Sequence, residues 1–516
     1  MKKFLLSFVA CLAIVCANAE DFTWTKSIDA LNNANKQAGT VVAVAPSDGS
    51  VYVTGTYEHD FSFGSMTASN PDEMPSGYIA KYSSTGEELW VVTLYGAATV
   101  TAATVDDDAT LYVTGEMKDD VEITPVAGDV KTINSPAGVF SAFVLRISAD
   151  GALEASTVIK PSSGVPSGKE DWSSACEITP RNIVLCDNKV FVAVNYTGNV
   201  SALGWQGSYS IMYGAYMDNS SCGLFSLDEN LTTPTSVATI QMTGIVASES
   251  QSTPRGFNIT SQDGVVYAGF FGSGKLTLTT QSDSKDFVFT IDDDGNTEFA
   301  FVCVAFEEST YKTYQYDAPP ISNMYGTFNI AGMGTANGNL YMAGTYKGVL
   351  PFDNTKQSSE EDEPNHYTSD DMFATSISLA DMSVNWAWTS GVGTKSTSVV
   401  RTAIDFNGYT HIDSKHSSSN YSAVLKNNGT LSTSNTEDAY DAIGVSEKGD
   451  AYLYRNGTSL DVCYKVIDPT IISSPTTATE SNATEIFTIN GVLVNKADAP
   501  GLYLFKTADG VRKVMK

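Results

Sequence analysis

The stretch VVAVAPSDGSVYVTG, Val41–Gly55, reads as an apolar strand, an Asp-Gly turn and a second apolar strand ending at Gly. The same order returns as GFNITSQDGVVYAG at Gly256–Gly269 and as GTFNIAGMGTANGNLYMAG at Gly326–Gly344. Looser copies start near Val100, Asn182, Val400 and Tyr440. Apolar runs punctuated by Asp, Asn and Gly mark β-hairpins, because those residues accept the backbone angles a tight turn demands. A hairpin repeated at long period decides the architecture before any single residue does.

Working outward, the first repeat continues beyond its hairpin. Strand a is Thr40–Ala45 and strand b is Val51–Tyr57; a longer loop leads to strand c at Tyr78–Tyr82, and the turn SSTGEE leads to strand d at Leu89–Leu94. Four consecutive antiparallel strands of this kind make one propeller blade. Six further a–b turns follow, at Asp106–Asp108, Asp187-Asn188, Asp263-Gly264, Asn337-Gly338, Asn407-Gly408 and Lys448-Gly449. In the fourth repeat, strand c is expected at Asp286–Ile291 and strand d at Glu298–Phe306. The seventh has strand b at Ala451–Tyr454 and strand c at Val462–Val466, and Asp468-Pro469 then ends the pattern without a d strand. Phe22-Thr23-Trp24-Thr25 is similar to the d strands around Leu89-Trp90-Val91 and Asn385–Trp388. It is therefore expected to complete the last blade and remove two open edges. The expectation is an all-β, seven-bladed β-propeller, with six or eight blades as alternatives, and a small C-terminal β module. Trp24, Trp90, Trp386 and Trp388 are read as packing between blades.

Residues 47–96 carry SDGSVYVTGTY, FSFG, YIAKYSSTG and LWVVTLYG in that order. This resembles the secreted bacterial β-propeller repeat, often called the SBBP repeat, and the resemblance spans most of Asp21–Asp468. It implies the propeller fold and carries no catalytic residues across.

The two ends speak to destination. Lys2 and Lys3 precede an apolar run, Phe4–Val15, too short to span a bilayer, and Ala17-Asn18-Ala19 reads as a cleavage site. Residues 1–19 are thus expected to be a signal peptide, and 20–468 the propeller. The Ser/Thr/Pro-rich stretch 469–484 reads as a linker. Residues 485–516 combine IFTI, an Asn490-Gly491 turn, Pro500-Gly501 before LYLF, an Asp509-Gly510 turn and a basic last strand with Arg512, Lys513 and Lys516. They resemble the C-terminal sorting domain of the type IX secretion system of Bacteroidetes. That resemblance implies recognition by the secretion machinery and a secreted or outer-membrane-surface location. No stretch is long and apolar enough for a transmembrane helix.

Loss of the leader takes the formal charge from −29 to −31, since only Lys2 and Lys3 leave with it. Such an acidic chain argues against nucleic acid and anionic membranes as partners. Only six arginines occur: Arg146, Arg181, Arg255, Arg401, Arg455 and Arg512. Five cysteines remain after cleavage, and Cys176 and Cys186 are near enough for a disulfide or can equally be buried thiols.

Gly269–Leu276, GFFGSGKL, lacks the Ser or Thr of a phosphate loop and is followed by strand-like KLTLTT. Asp292-Asp293-Asp294-Gly295 reads as a c–d turn of the fourth blade rather than a calcium loop. Glu360–Glu363 with His366, Asp370 and Asp371 reads as a solvated acidic loop. No cofactor or metal is expected. The b–c loops at Thr197–Ser221 and Lys347–Asp371 and the d–a loop at Lys160–Arg181 are long and leave one face of a propeller. Long loops on a rigid scaffold are where binding residues gather. Trp172, Trp205, Tyr213 and Tyr216 are the candidate ligand-binding residues there, although each can instead pack its own loop. The leading reading is a non-enzymatic surface or secreted binder of a glycan or protein. The alternatives are a carbohydrate-active hydrolase or lyase with carboxylates on that face, and a structural surface component.

Overall fold

The computed structural model describes residues 23–30, 38–136, 138–162, 177–212, 215–219, 221–244, 255–289, 296–308, 310–322, 327–358, 370–391, 397–416, 420–435, 442–446, 451–456, 460–465, 485–488, 493–494, 502–507 and 510–515. β1 (Trp24–Ala30) comes first. Blade one holds β2 (Ala38–Val44), β3 (Val51–Tyr57), an inserted hairpin of β4 (Phe61–Phe63) and β5 (Met66–Ala68), then β6 (Ser76–Tyr82) and β7 (Glu88–Tyr95). Blade two holds β8 (Ala98–Val105), β9 (Leu111–Lys118), the inserted β10 (Val121–Thr124) and β11 (Lys131–Ile133), then β12 (Phe140–Ile147) and β13 (Leu153–Ile159). Blade three holds β14 (Glu177–Cys186), β15 (Lys189–Thr197), the inserted β16 (Ser208–Met212) and β17 (Ala215–Asn219), then β18 (Ser221–Asp228) and β19 (Thr235–Gly244). Blade four holds β20 (Arg255–Gln262), β21 (Val265–Gly272), the inserted β22 (Lys275–Thr280) and β23 (Ser284–Val288), then β24 (Asn296–Glu307) and β25 (Thr310–Ser322).

Blade five is β26 (Thr327–Ala336), β27 (Asn339–Lys347), β28 (Asp371–Ser378) and β29 (Val384–Thr389). Blade six is β30 (Thr397–Ile404), β31 (Thr410–His416), β32 (Asn420–Leu425) and β33 (Leu431–Asn435). The last set takes β34 (Ala442–Val445), β35 (Ala451–Asn456) and β36 (Leu460–Lys465) from the end of the ring and β1 from its start. β1 pairs antiparallel with β36, Trp24 opposite Tyr464 and Ile28 opposite Leu460. The expected closure is therefore present, although it runs through Ala30 rather than stopping at Thr25; Phe22 lies outside the described residues. β37 (Glu485–Thr488), β38 (Leu493–Val494), β39 (Leu502–Thr507) and β40 (Gly510–Met515) form an antiparallel sheet in the order β38-β37-β39-β40. These strands cover the segments expected at the C-terminus. The proposed leader and linker, 1–19 and 469–484, lie outside the described residues.

The first strand of each set touches the first strand of the next, and β34 touches β2. The architecture is a β-propeller. Its core lies in the seams: one buried cluster joins Tyr52 and Trp90 to Leu111 and Phe143, and another joins Phe271 and Phe301 to Phe328 and Phe373. In the second, Phe271 and Phe328 stack at 4.8 Å between blades four and five.

Two expectations are corrected. In blade four, strand c is β24 and strand d is β25, one strand later than the sequence suggests. The Asp286 segment belongs to β23, the second arm of an inserted hairpin. The alternation of KDFVF is that of a true strand, but it pairs with β22 and not with β21. The run 292–295 lies outside the described residues, between β23 and β24 and not in a c–d turn. Second, the longer loop expected between strands b and c of blade one holds a hairpin, and blades two and four carry one at the same place. The β4–β5 hairpin pairs with β1, β10–β11 with β7, and β22–β23 with β19. Each insertion thus adds strands to the outer edge of the blade before its own, covering an edge that would otherwise be open.

Candidate functional site

Among the described residues, six of the innermost strands carry a β-bulge. The register slips between Gly39 and Val41, Val100 and Ala102, Pro180 and Asn182, Arg255 and Asn258, Ile330 and Gly332, and Thr397 and Val399. A bulge leaves one residue outside the ladder and re-aims its side chain. It also explains the Gly of the repeat. A Cβ on Gly115 would overlap the Thr99 carbonyl oxygen, and one on Gly344 would overlap that of Asn329. The bulge pushes those carbonyls into the space beside strand b, so only glycine fits.

The bulge residues Thr40, Thr101, Arg181 and Ala331 all line one axial channel of about 720 Å³, to which every innermost strand contributes. The Thr40 hydroxyl pairs with Thr54 at 2.8 Å and that of Thr101 donates to the Thr114 carbonyl at 3.3 Å, so both turn back to their own blades. Arg181 is the charged member of this tier. It is exposed, and among the described residues its guanidinium has no hydrogen-bond partner. Beside it, Asn182 Nδ2 donates to Asn258 Oδ1 at 2.6 Å and to the Ile259 carbonyl at 2.8 Å, joining blades three and four across the wall. Arg401, the other channel arginine, stands in register with buried Asp413 on the next strand.

Glu116 follows the motif glycine on β9, at the same end of the strands as Glu177, the first residue of β14. Burial raises the Glu116 carboxyl above its ordinary range, and the Glu177 charge raises it further. The Arg181 charge and a hydrogen bond with Thr179 pull the other way. The site therefore sets one guanidinium beside two carboxyl groups in unlike surroundings. A second polar cluster lies in blade six. Asp405 accepts the Asn407 and Tyr409 amides at 2.9 Å each, and its other oxygen lies 3.5 Å from His411 Nε2. The two amide bonds make it an Asx turn cap, the role Asp106 plays at Asp108 and Thr110.

The sequence candidates fare differently. Trp205 is only 4% exposed and tilts against Tyr196 at 5.0 Å, with Nε1 donating to Ser236 Oγ at 2.7 Å. It packs its own loop and offers no open ring. Tyr216 lies on β17 opposite Ile211. Trp172 and Tyr213 lie outside the described residues. Arg181, placed in a d–a loop by the sequence, is inside β14. Nothing in the periodicity marks the bulge, although Pro180 beside it is a residue that inner strands tolerate mainly at bulges.

The remaining motifs are structural where they are described. Lys275 of the loop-like GFFGSGKL pairs with Asp286 at 2.8 Å across the β22–β23 hairpin. Asp371 is buried and caps the Met372 amide at 2.8 Å and the Gly391 amide at 3.1 Å. Residues 359–369 lie outside the described residues. Cys186 carries a free thiol, Cys222 and Cys303 are buried free thiols, and Cys176 lies outside the described residues. Among the described residues no group of three or more His, Cys, Asp or Glu could hold a metal ion, and no helix is long and apolar enough to cross a membrane.

No protein-family model matches the chain, and no curated protein does. Among solved structures it is similar to BamB from Moraxella catarrhalis, with 10% identity, 87% of this chain and 100% of that one covered, and a TM-score of 0.34. It is also similar to the WD40 β-propeller domain of Doa1, with 10% identity, 88% and 100% covered, and a TM-score of 0.35. A third is Sqt1 from Chaetomium thermophilum, with 8% identity, 86% and 99% covered, and a TM-score of 0.40. At these scores the likenesses carry no argument about function, and the fold rests on the strand pairings above.

Proposed function

We propose that this chain is a secreted or cell-surface propeller that binds a glycan or protein without turning it over. The observation that carries the reading is the axial channel, where a ring of strands presents Arg181, whose guanidinium has no hydrogen-bond partner among the described residues, in a wall of hydroxyl and amide groups. Concave, preformed sites with a few placed polar groups are where small ligands bind. The resemblance of 47–96 to the SBBP repeat and of 485–516 to a type IX sorting domain supports export to the bacterial surface. A glycan array run beside a broad hydrolase screen tests the reading; retention on the array with no turnover is expected.

A second reading, a carbohydrate-active hydrolase or lyase, draws on Glu116 and Glu177. A pair of carboxyl groups, one of them buried and raised like Glu116, is what acid–base cleavage of a glycosidic bond uses. Turnover abolished by Glu116→Gln or Glu177→Gln, in proteins that still fold, would replace the first reading with this one.

A further inference from the structure

We propose that the axial channel takes a sugar acid, its carboxylate held by the Arg181 guanidinium. The inference rests on the binding reading above and names the ligand class for that site. Three observations converge on it. Arg181 is the extra residue of a bulge, so its side chain leaves the ladder and enters the channel at the tier of Thr40, Thr101 and Ala331. Its guanidinium, a planar fork suited to two parallel bonds with a carboxylate, has no hydrogen-bond partner among the described residues. The formal charge of the chain is −29 and only six arginines occur, so a guanidinium in the axial channel is a scarce group placed where a carboxylate can meet it.

The charge balance selects the ligand. Glu116 and Glu177 stand near Arg181, so the guanidinium charge is already offset there and the site has no surplus positive charge for a dianion. A monoanion is accepted, whereas a phosphate dianion is repelled by the same two carboxyl groups. The volume, about 720 Å³, suits a small molecule of one or two sugar rings. Asn182 and Ser261 spend their donors inside the wall, which leaves the Asn258 Nδ2 and the Thr104 hydroxyl as lining groups able to meet ring hydroxyls. A free carboxylic acid without hydroxyls would satisfy only the guanidinium.

The test is calorimetric titration of the full chain with D-glucuronate, D-glucose, N-acetylglycine and inorganic phosphate. Glucuronate is expected to bind at least about tenfold more tightly than the other three, a factor worth about 1.4 kcal/mol. Arg181→Gln should remove that preference, and Arg181→Lys should keep part of it, because charge survives while the fork is lost. Thermal melts of both variants establish that they fold; Arg181 is exposed, so little change is expected. No glucuronate binding, or equal binding by Arg181→Gln, overturns the proposal. Tighter binding of phosphate or of N-acetylglycine overturns the ligand class. If a glycan array is positive while glucuronate fails, this inference falls and the binding reading stands; an array that is blank with every glycan sinks the glycan arm of that reading by itself.

Discussion

Trp90 on the outer strand of blade one donates its indole N–H to the carbonyl of Ala149, 3.0 Å away in the c–d turn of blade two. The same bond recurs around the ring. Trp24 reaches Ser84 at 3.3 Å, Trp386 reaches Asn427 at 2.8 Å, Tyr316 donates to the Met382 carbonyl at 2.7 Å, and Arg146 donates to that of Glu229 at 3.2 Å. Three of these turns hold a glycine at positive φ, Gly86, Gly151 and Gly429, under the indole of Trp24, Trp90 or Trp386. The repeat's Trp and its turn Gly are therefore one device read from two blades. Lys81 joins it, its Nζ sharing the Ala149 carbonyl at 2.9 Å.

Trp90→Phe should lose the hydrogen bond and little packing, about 1 kcal/mol, while Trp90→Ala should cost about 3–5 kcal/mol by leaving a cavity in the seam. Urea unfolding midpoints check both. A Trp90→Ala chain as stable as its parent would mean the seam is not held there.

Gly115→Ala and Gly344→Ala should be severe, because a Cβ at either site overlaps a bulge carbonyl. Gly338→Ala is the control: its φ is 72° but nothing lies within 4 Å of the added carbon. That variant should lose only about 1–2 kcal/mol, the cost of a left-handed backbone. Equal losses at all three positions, measured by thermal or urea melts, would refute the crowding account of the motif glycine.

Deleting residues 24–30 should lower the unfolding midpoint and broaden the transition. The deletion removes the partner of β36 and of β4 together, and the Lys26–Glu88 ion pair at 3.3 Å. An unchanged melt would contradict the closing role of β1.

Glu116 gives a pH-dependent prediction. Its carboxyl is raised, chiefly by burial. A raised carboxyl contributes stability below its unfolded value, lost as pH climbs through the folded one. Glu116→Gln removes that loss, so the variant should gain on the parent between pH 4 and pH 7. Urea midpoints at the two pH values decide; a difference that does not move toward the variant removes burial as the cause.

Much of the fold was legible because turn chemistry and strand alternation are local. The a–b turns, the outer strand at Leu89–Leu94 and the closure by Trp24 all follow from residues adjacent in sequence. Blade four was misread because partner choice is not local. Lys285–Val288 alternates as a strand should, and only the pairing assigns it to an insertion. The true outer strand, TYKTYQYDAPPIS, holds Pro319 and Pro320, which fall at the register shift between Thr297 and Phe299, where the ladder asks for no amide from them. The site was less legible. For Trp205 the sequence leaves open both a ligand-facing ring and a ring packed in its own loop, because burial of a loop by its own aromatic leaves no pattern. Arg181 was hidden because a bulge is a mismatch between two strands and belongs to neither alone.

The strand β1 has a further consequence for the life of the chain. Its neighbours are β4, some thirty residues onward, and β36, more than four hundred residues onward. While the polypeptide is being made, β1 can dock on one side only, and its other edge waits for the last turns of the ring. Pairings so distant in sequence form late and slowly. Until then the nascent chain carries two raw edges, the condition in which β proteins stick to one another. A holding factor that keeps those edges apart until residue 465 emerges would matter more to the yield of this protein than the stability of any single blade.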